Sequence, residues 1–160
     1  MKNEGFTLVE LLTVIVILSA VSLIGIFTVD GVIKRGSEKA YQTQINEMKS
    51  AAENFVKTDG LPTWCNLNNN GDVCFITLKL LLVTKYIAPA NGEFKNPATD
   101  KPFADDTLIK IEKYGKNYLF EVKDIDFEKF SKEEPNLYQR SQSDILSCNN
   151  YIEELNKLNK

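Results

Sequence analysis

GFTLVELLTVIVILSAVSLIGIFTV, residues Gly5 to Val29, is the stretch on which the reading of the whole chain turns. From Leu11 to Val29 no side chain ionises. At about 1.5 Å of rise per residue, such a helix crosses most of a hydrocarbon layer roughly 30 Å thick. Apolar residues fall on every face of the projected helix rather than on one stripe, which separates it from a surface helix of a soluble domain. A membrane helix over about residues 6–29 is therefore predicted. Glu10 is the exception within it. A carboxylate in an apolar helix costs up to about 3 kcal/mol near a bilayer centre and less near its edge, so an acid kept there needs a partner.

Beyond this run the chain turns polar but keeps a helical period. Tyr41, Ile45, Met48, Ala52 and Phe55 follow one another at steps of three or four and make one apolar face. A continuous helix over 6–58 would be about 80 Å long, half apolar all round and half amphipathic. Gly31 and Gly36 each cost about 1 kcal/mol relative to alanine in a helix interior, so bending or melting is expected there. Asp59-Gly60 followed by Pro62 ends the helix, with glycine as the left-handed cap and proline unable to continue. The Tyr41 to Phe55 face is expected to be core, docking a small domain onto the helix.

The block Gly5-Phe6-Thr7-Leu8-Val9-Glu10-Leu11-Leu12, with its short polar leader and the apolar run after it, resembles the class III signal of type IV pilins and the related pseudopilins. The resemblance is specific over about the first 25 residues and architectural beyond about residue 60. It implies a leader of residues 1–5, cut by a membrane prepilin peptidase between Gly5 and Phe6, and an N-methyl group on the new terminal Phe6. Glu10 takes the place of the family's assembly glutamate. The implied partners are the peptidase, other pilin subunits in a homo- or heteropolymer, the pilus assembly platform and, before assembly, the membrane. The implied location is the bacterial cytoplasmic membrane as a single-pass protein, then an extracellular pilus or pseudopilus. This chain departs from the pattern in Glu4, where a basic residue is usual, and in having no proline before Pro62.

Two other readings of the stretch stand beside this one. A conventional secretory signal peptide would be cut after a small-x-small step such as Ala20-Val21-Ser22, although the apolar run continues past it. A generic single-span anchor has no use for Glu10. For Glu10 itself, cleavage after Gly5 would place a Phe6 ammonium, with a pKa near 8 in simple peptides, four residues away on the same subunit or beside Glu10 of a neighbour. The alternative is helix capping, since a helix N-terminus favours a nearby carboxylate by some tenths of a kcal/mol.

The chain has 160 residues, so roughly 100 remain after leader and long helix, enough for one core, and 59–160 is expected to form one head domain. Formal net charge is −3 from 19 basic and 22 acidic residues, which does not favour broad binding of phosphate, so nucleic acid is not indicated. There is no histidine, which removes the commonest general base and metal ligand. No phosphate-cradling glycine loop or thiol with basic neighbours is present, so neither a catalytic constellation nor a cofactor is predicted.

Residues 61–75, LPTWCNLNNNGDVCF, read as a loop that Cys65 and Cys74 could staple. A bridge closing about ten residues contributes on the order of 3 kcal/mol in the chain-entropy account. Three cysteines allow three single bridges, and Cys65 with Cys74 is the favoured pair, leaving Cys148. Asn66, Asn68, Asn70 and Gly71 imitate the first half of a calcium loop, and some secretion pseudopilins bind calcium in their heads. Here Asp72 is the only carboxylate and Thr77 stands where a bidentate glutamate is needed, so an Asn-Gly turn is the better reading. Three thiolates with an acid would be a zinc alternative.

Thr77 is placed to cap a short helix with Leu78, Leu81, Leu82 and Tyr86 facing the core, a strand over Leu80 to Tyr86 being the alternative. The prolines and Asn91-Gly92 further on predict a loop. Thr107 to Glu112 and Asn117 to Lys123 alternate as two strands about a Tyr114-Gly115-Lys116 turn, a ribbon not stable alone that should pack on the Tyr41 to Phe55 face, with or without a third strand. Asp124 to Glu134 is acidic, with Phe127 and Phe130 tucking a loop or short helix inward. A C-terminal helix is predicted from Ser141 or Ser143, with Ile145, Cys148, Ile152 and Leu155 on one face. The fold class is α+β: a long N-terminal helix, half membrane-spanning and half amphipathic, against a small antiparallel sheet head with a C-terminal helix. The function expected is a pilus subunit, major or minor; a type II secretion or competence pseudopilin, or a membrane-anchored adhesion module, are the alternatives.

Overall fold

The computed structural model describes residues 7–89, 94–97, 99–123 and 127–158, with the side chains of 23–30 and 127–129 outside that description. Helix α1 runs Leu8–Asp59 without a break at Gly31 or Gly36. A Cβ added at either glycine would meet nothing within 4 Å, so neither is required by a close neighbour. The helix ends where Gly60, at φ 84°, donates its amide to the Val56 carbonyl at 3.1 Å, a left-handed cap that glycine adopts without a Cβ clash. Contacts divide the chain between Ala40 and Tyr41, so the amphipathic end of α1 belongs with the strands and helices C-terminal to it.

In the unit from Tyr41 on, three strands form an antiparallel sheet in the order β1 (Val73–Thr77), β4 (Leu108–Tyr114), β5 (Asn117–Lys123). Between β1 and β4 lie helix α2 (Leu78–Val83) and a two-residue ladder of β2 (Lys95–Asn96) with β3 (Lys101–Pro102). The β4–β5 hairpin turns at Gly115, at φ 62°. Helices α3 (Phe127–Glu133) and α4 (Pro135–Leu158) complete the order.

The period-two alternation of the strands separates two apolar clusters. Cys74, Ile76, Ile109 and Ile111 lie in one with Ile45, Met48, Ala52 and Phe55 of α1, and Tyr118, Phe120 and Val122 of β5 pack against it. Phe75 and Leu108 join Phe130 of α3 in the other, backed by Leu137, Tyr138 and Ile145 of α4. Lys110 and Glu121 are directly opposite in the ladder, and Lys110 Nζ also reaches Glu112 at 2.8 Å. The third strand that the hairpin needs is Val73–Thr77, inside a segment that reads as loop up to Phe75 because Asn-Gly-Asp crowds its start.

Helix α2 shows why so short a helix holds. Thr77 Oγ1 accepts from the Leu80 amide at 3.3 Å, and the carbonyls of Thr107 and Asp105 accept from the Leu78 and Lys79 amides, both at 2.9 Å. Its first three orphan donors are thus all satisfied. The other end closes with paired bonds, Tyr86 amide to Leu81 carbonyl and Lys85 amide to Leu82 carbonyl, with Lys85 left-handed at φ 62°. Helix α4 begins six residues before Ser141, at Pro135, because proline suits the first helical position, where no amide bond is needed.

Candidate functional site

Helix α1 starts in a reciprocal cap. Thr7 stands just before the first helical residue, and its Oγ1 accepts from the Glu10 amide at 3.3 Å. In return, Glu10 Oε2 accepts from the Thr7 amide at 3.0 Å and from the Thr7 hydroxyl at 2.9 Å. This is a capping box, a Ser or Thr at the cap and a Glu three residues on, each satisfying a donor that the helix start would leave bare. Thr7-x-x-Glu10 spells it in the sequence, yet reading Glu10 as an unpartnered acid passes over Thr7. Gly5 and Phe6, the expected processing residues, lie outside the described residues.

The residues after the cap expose apolar side chains on all sides, from Leu8 at 80% exposed to Val21 at 62%. The few hydroxyls among them are turned inward onto the helix's own backbone. Thr13 Oγ1 donates to the Val9 carbonyl at 2.8 Å, and Ser19 and Ser22 donate to the carbonyls of Ile15 and Leu18 at 2.7 Å each. Folding hydroxyls back in this way leaves no side-chain O–H seeking water, which suits apolar surroundings. Among the described residues no helix is long and apolar enough to cross a membrane. The expected span over about 6–29 includes Phe6 and the side chains of 23–29, which lie outside the description.

In the second unit a disulfide joins Cys65 to Cys74, with the Cα atoms 5.3 Å apart, and Cys148 is a free, buried thiol. With two sulfurs in the bridge, a zinc site of three thiolates does not form. The asparagine loop is held by bonds within the chain. Asp72 Oδ2 accepts from the amides of Asn68 at 2.9 Å and Asn69 at 2.7 Å, and Asn70 Oδ1 accepts from the Gly115 amide at 2.8 Å. Lys113 Nζ donates to the Leu67 carbonyl at 3.0 Å. These bonds tie the loop to the β4–β5 turn, and no group of metal-binding side chains occurs among the described residues.

The strongest buried polar feature is one that sequence reasoning missed. Asp144, 2% exposed on α4, accepts from the Phe75 amide at 2.9 Å and from Arg140 Nε at 3.1 Å through the same oxygen. Arg140 Nη2 in turn donates to the Trp64 carbonyl at 3.1 Å. The pair therefore fastens α4 both to the open edge of β1 and to the disulfide loop. Burial raises the Asp144 carboxyl above its ordinary range, against the pull of the Phe75 amide and Arg140. Burial likewise pushes the Cys148 thiol up to about 11, against hydrogen bonds from Thr77. The available signal was position: Asp144 shares the α4 face of Ser141, Cys148 and Ile152, where an acid is out of place unless paired.

Neither the reciprocal cap nor the buried pair offers a nucleophile beside a base. Residues 1–26 match the family described as the prokaryotic N-terminal methylation motif. No curated protein and no solved structure matches the chain. The N-terminal stretch thus carries the prepilin-type signature of type IV pilins and pseudopilins.

Proposed function

We propose that the chain is a structural subunit, major or minor, of a type IV pilus or pilus-like filament. The observation that carries this reading is the methylation motif over residues 1–26, with Glu10 at the start of an apolar helix. In this reading prepilin peptidase removes residues 1–5, Phe6 is N-methylated, and the apolar start of α1 holds the subunit in the cytoplasmic membrane as a single pass until the assembly platform adds it to other pilins. Outside the membrane, oxidising conditions permit the Cys65–Cys74 bridge. Glu10 then meets the Phe6 amine of a neighbour and sets axial register, a specificity role that buried ion pairs play even where their net stabilisation is small.

The Thr7–Glu10 cap favours a second role for the same residue, holding the helix start of its own subunit. Two substitutions separate the roles. Glu10→Gln keeps a side-chain carbonyl for the Thr7 donors but removes the charge, whereas Glu10→Ala removes both. If charge pairing between subunits is the role, both variants insert and are cut after Gly5, yet both fall at least about tenfold in the ratio of sheared-fibre to membrane-pool protein, a loss of about 1.4 kcal/mol or more. If capping is the role, Glu10→Gln assembles like the parent. Terminal mass spectrometry on each form checks processing, and a mature terminus other than methylated Phe6 would overturn the proposal itself.

A further inference from the structure

Within the unit from Tyr41 on, a groove of about 300 Å³ is lined by Thr63, Trp64, Ser147, Asn150, Tyr151 and Glu154. Its lining includes two aromatic rings, Trp64 and Tyr151, in edge-to-face contact with centroids 5.9 Å apart and planes at 60°. Trp64 is held rigidly. Its indole Nε1 donates to the Phe75 carbonyl at 3.3 Å, its own carbonyl accepts from Arg140, and the next residue is in the disulfide. Tyr151 remains 37% exposed. The polar wall comes from helical spacing, since residues 147, 150, 151 and 154 fall on one face of α4.

The polar groups are available. Among the described residues nothing donates to or accepts from the side chains of Thr63, Asn150 or Glu154. Ser147 Oγ spends its hydrogen on the Ser143 carbonyl at 3.0 Å and keeps its lone pairs. The groove therefore offers two aromatic rings, one amide with donors and an acceptor, hydroxyls and one carboxylate, and no lysine or arginine among its six lining residues.

We propose that this groove binds a neutral saccharide. The C–H face of a pyranose ring is an apolar, weakly positive plane that stacks on the negative face of an aromatic ring, and its hydroxyls need donors and acceptors around the rim. A carboxylate accepts from two adjacent sugar hydroxyls. The same carboxylate, unrelieved by any cation in the lining, disfavours acidic sugars and phosphates. The volume is at the small end of ligand sites and suits one or two sugar rings. A quaternary ammonium could also sit against two aromatic rings and an acid, but it has no use for Thr63, Ser147 and Asn150.

Trp64 is the only tryptophan in the chain, so its emission reports on the groove alone. The full-length protein, in a polyoxyethylene detergent that carries no sugar headgroup, is titrated with glucose, galactose, N-acetylglucosamine and their β-linked disaccharides. Sorbitol serves as an acyclic polyol control and choline chloride as the ammonium probe. A saturable change with a Kd on the order of 1 mM or tighter is expected for at least one sugar, and none for sorbitol. Tyr151→Ala, with far-UV circular dichroism unchanged, is expected to weaken that binding at least tenfold, and Asn150→Ala several-fold. Absence of saturation for every sugar overturns the proposal. So does saturation by choline alone, or sugar binding that Tyr151→Ala and Asn150→Ala leave intact.

Discussion

Asp144 accepts an amide from the sheet and a guanidinium from its own helix, so its loss leaves the Phe75 amide facing a buried gap and the half-exposed Arg140 Nε without its partner. Asp144→Ala is expected to cost about 2–3 kcal/mol, measured by urea unfolding, because the Phe75 amide loses a charged acceptor and Arg140 its partner. Titration gives a second signature. With its folded pKa above the ordinary 3.8, Asp144 holds its proton more tightly in the native state than in the unfolded one. Its contribution to stability is therefore greatest below the unfolded value and declines as pH rises through the raised folded value. Urea midpoints across that acid window should fall with pH more steeply in the parent than in Asp144→Asn, which cannot titrate. Cys148 behaves in the same direction chemically. A thiol at about 11 presents little thiolate, and alkylation of the native protein near neutral pH should run more than about a hundredfold slower than after unfolding.

Helix α1 is where local sequence preference and observed structure diverge most. Gly31 and Gly36 lie within unbroken helix, in a stretch with no bending proline. Each nonetheless lowers the local cost of opening by about 1 kcal/mol, and no side chain packs where their Cβ atoms would be. Hydrogen exchange should find the weakest amide protection of α1 between about Gly25 and Gly36, and uniform protection there would count against the idea. The long helix, the short helix capped by Thr77 and the β4–β5 hairpin were legible because each repeats a period or carries its own punctuation. Strand β1 was not. Its residues Val73 to Thr77 bury on both faces, so apolar side chains run on without the alternation that marks a half-exposed strand. The early start of α4 was hidden for a different reason: Pro135 reads as a breaker, although at a first turn it is a starter. At the start of α1 the sequence spells the cap in Thr7-x-x-Glu10, a pattern that attention to the acid alone passes over. Asp144 depended on a tertiary partner, Phe75, that no local pattern announces.

At the scale of the whole molecule, both apolar clusters draw every member from Tyr41 onward. A fragment beginning near Lys34 should therefore be soluble without detergent and unfold cooperatively, with a midpoint within a few degrees of the full chain measured in detergent. Broad, non-cooperative melting would show that the first forty residues contribute to the core. The way α4 closes the sheet also governs the sequence of events in folding. The disulfide spans nine positions and the β4–β5 hairpin is local, so both can form early, whereas the Phe75–Asp144 bond joins residues 69 apart and waits on the slow closing of a long loop. Until then the outer edge of β1 offers unpaired amides to any other extended chain. The last helix made is thus also the guard against mispairing, and a chain that stops short of Arg140 would be expected to tangle with its neighbours through that edge.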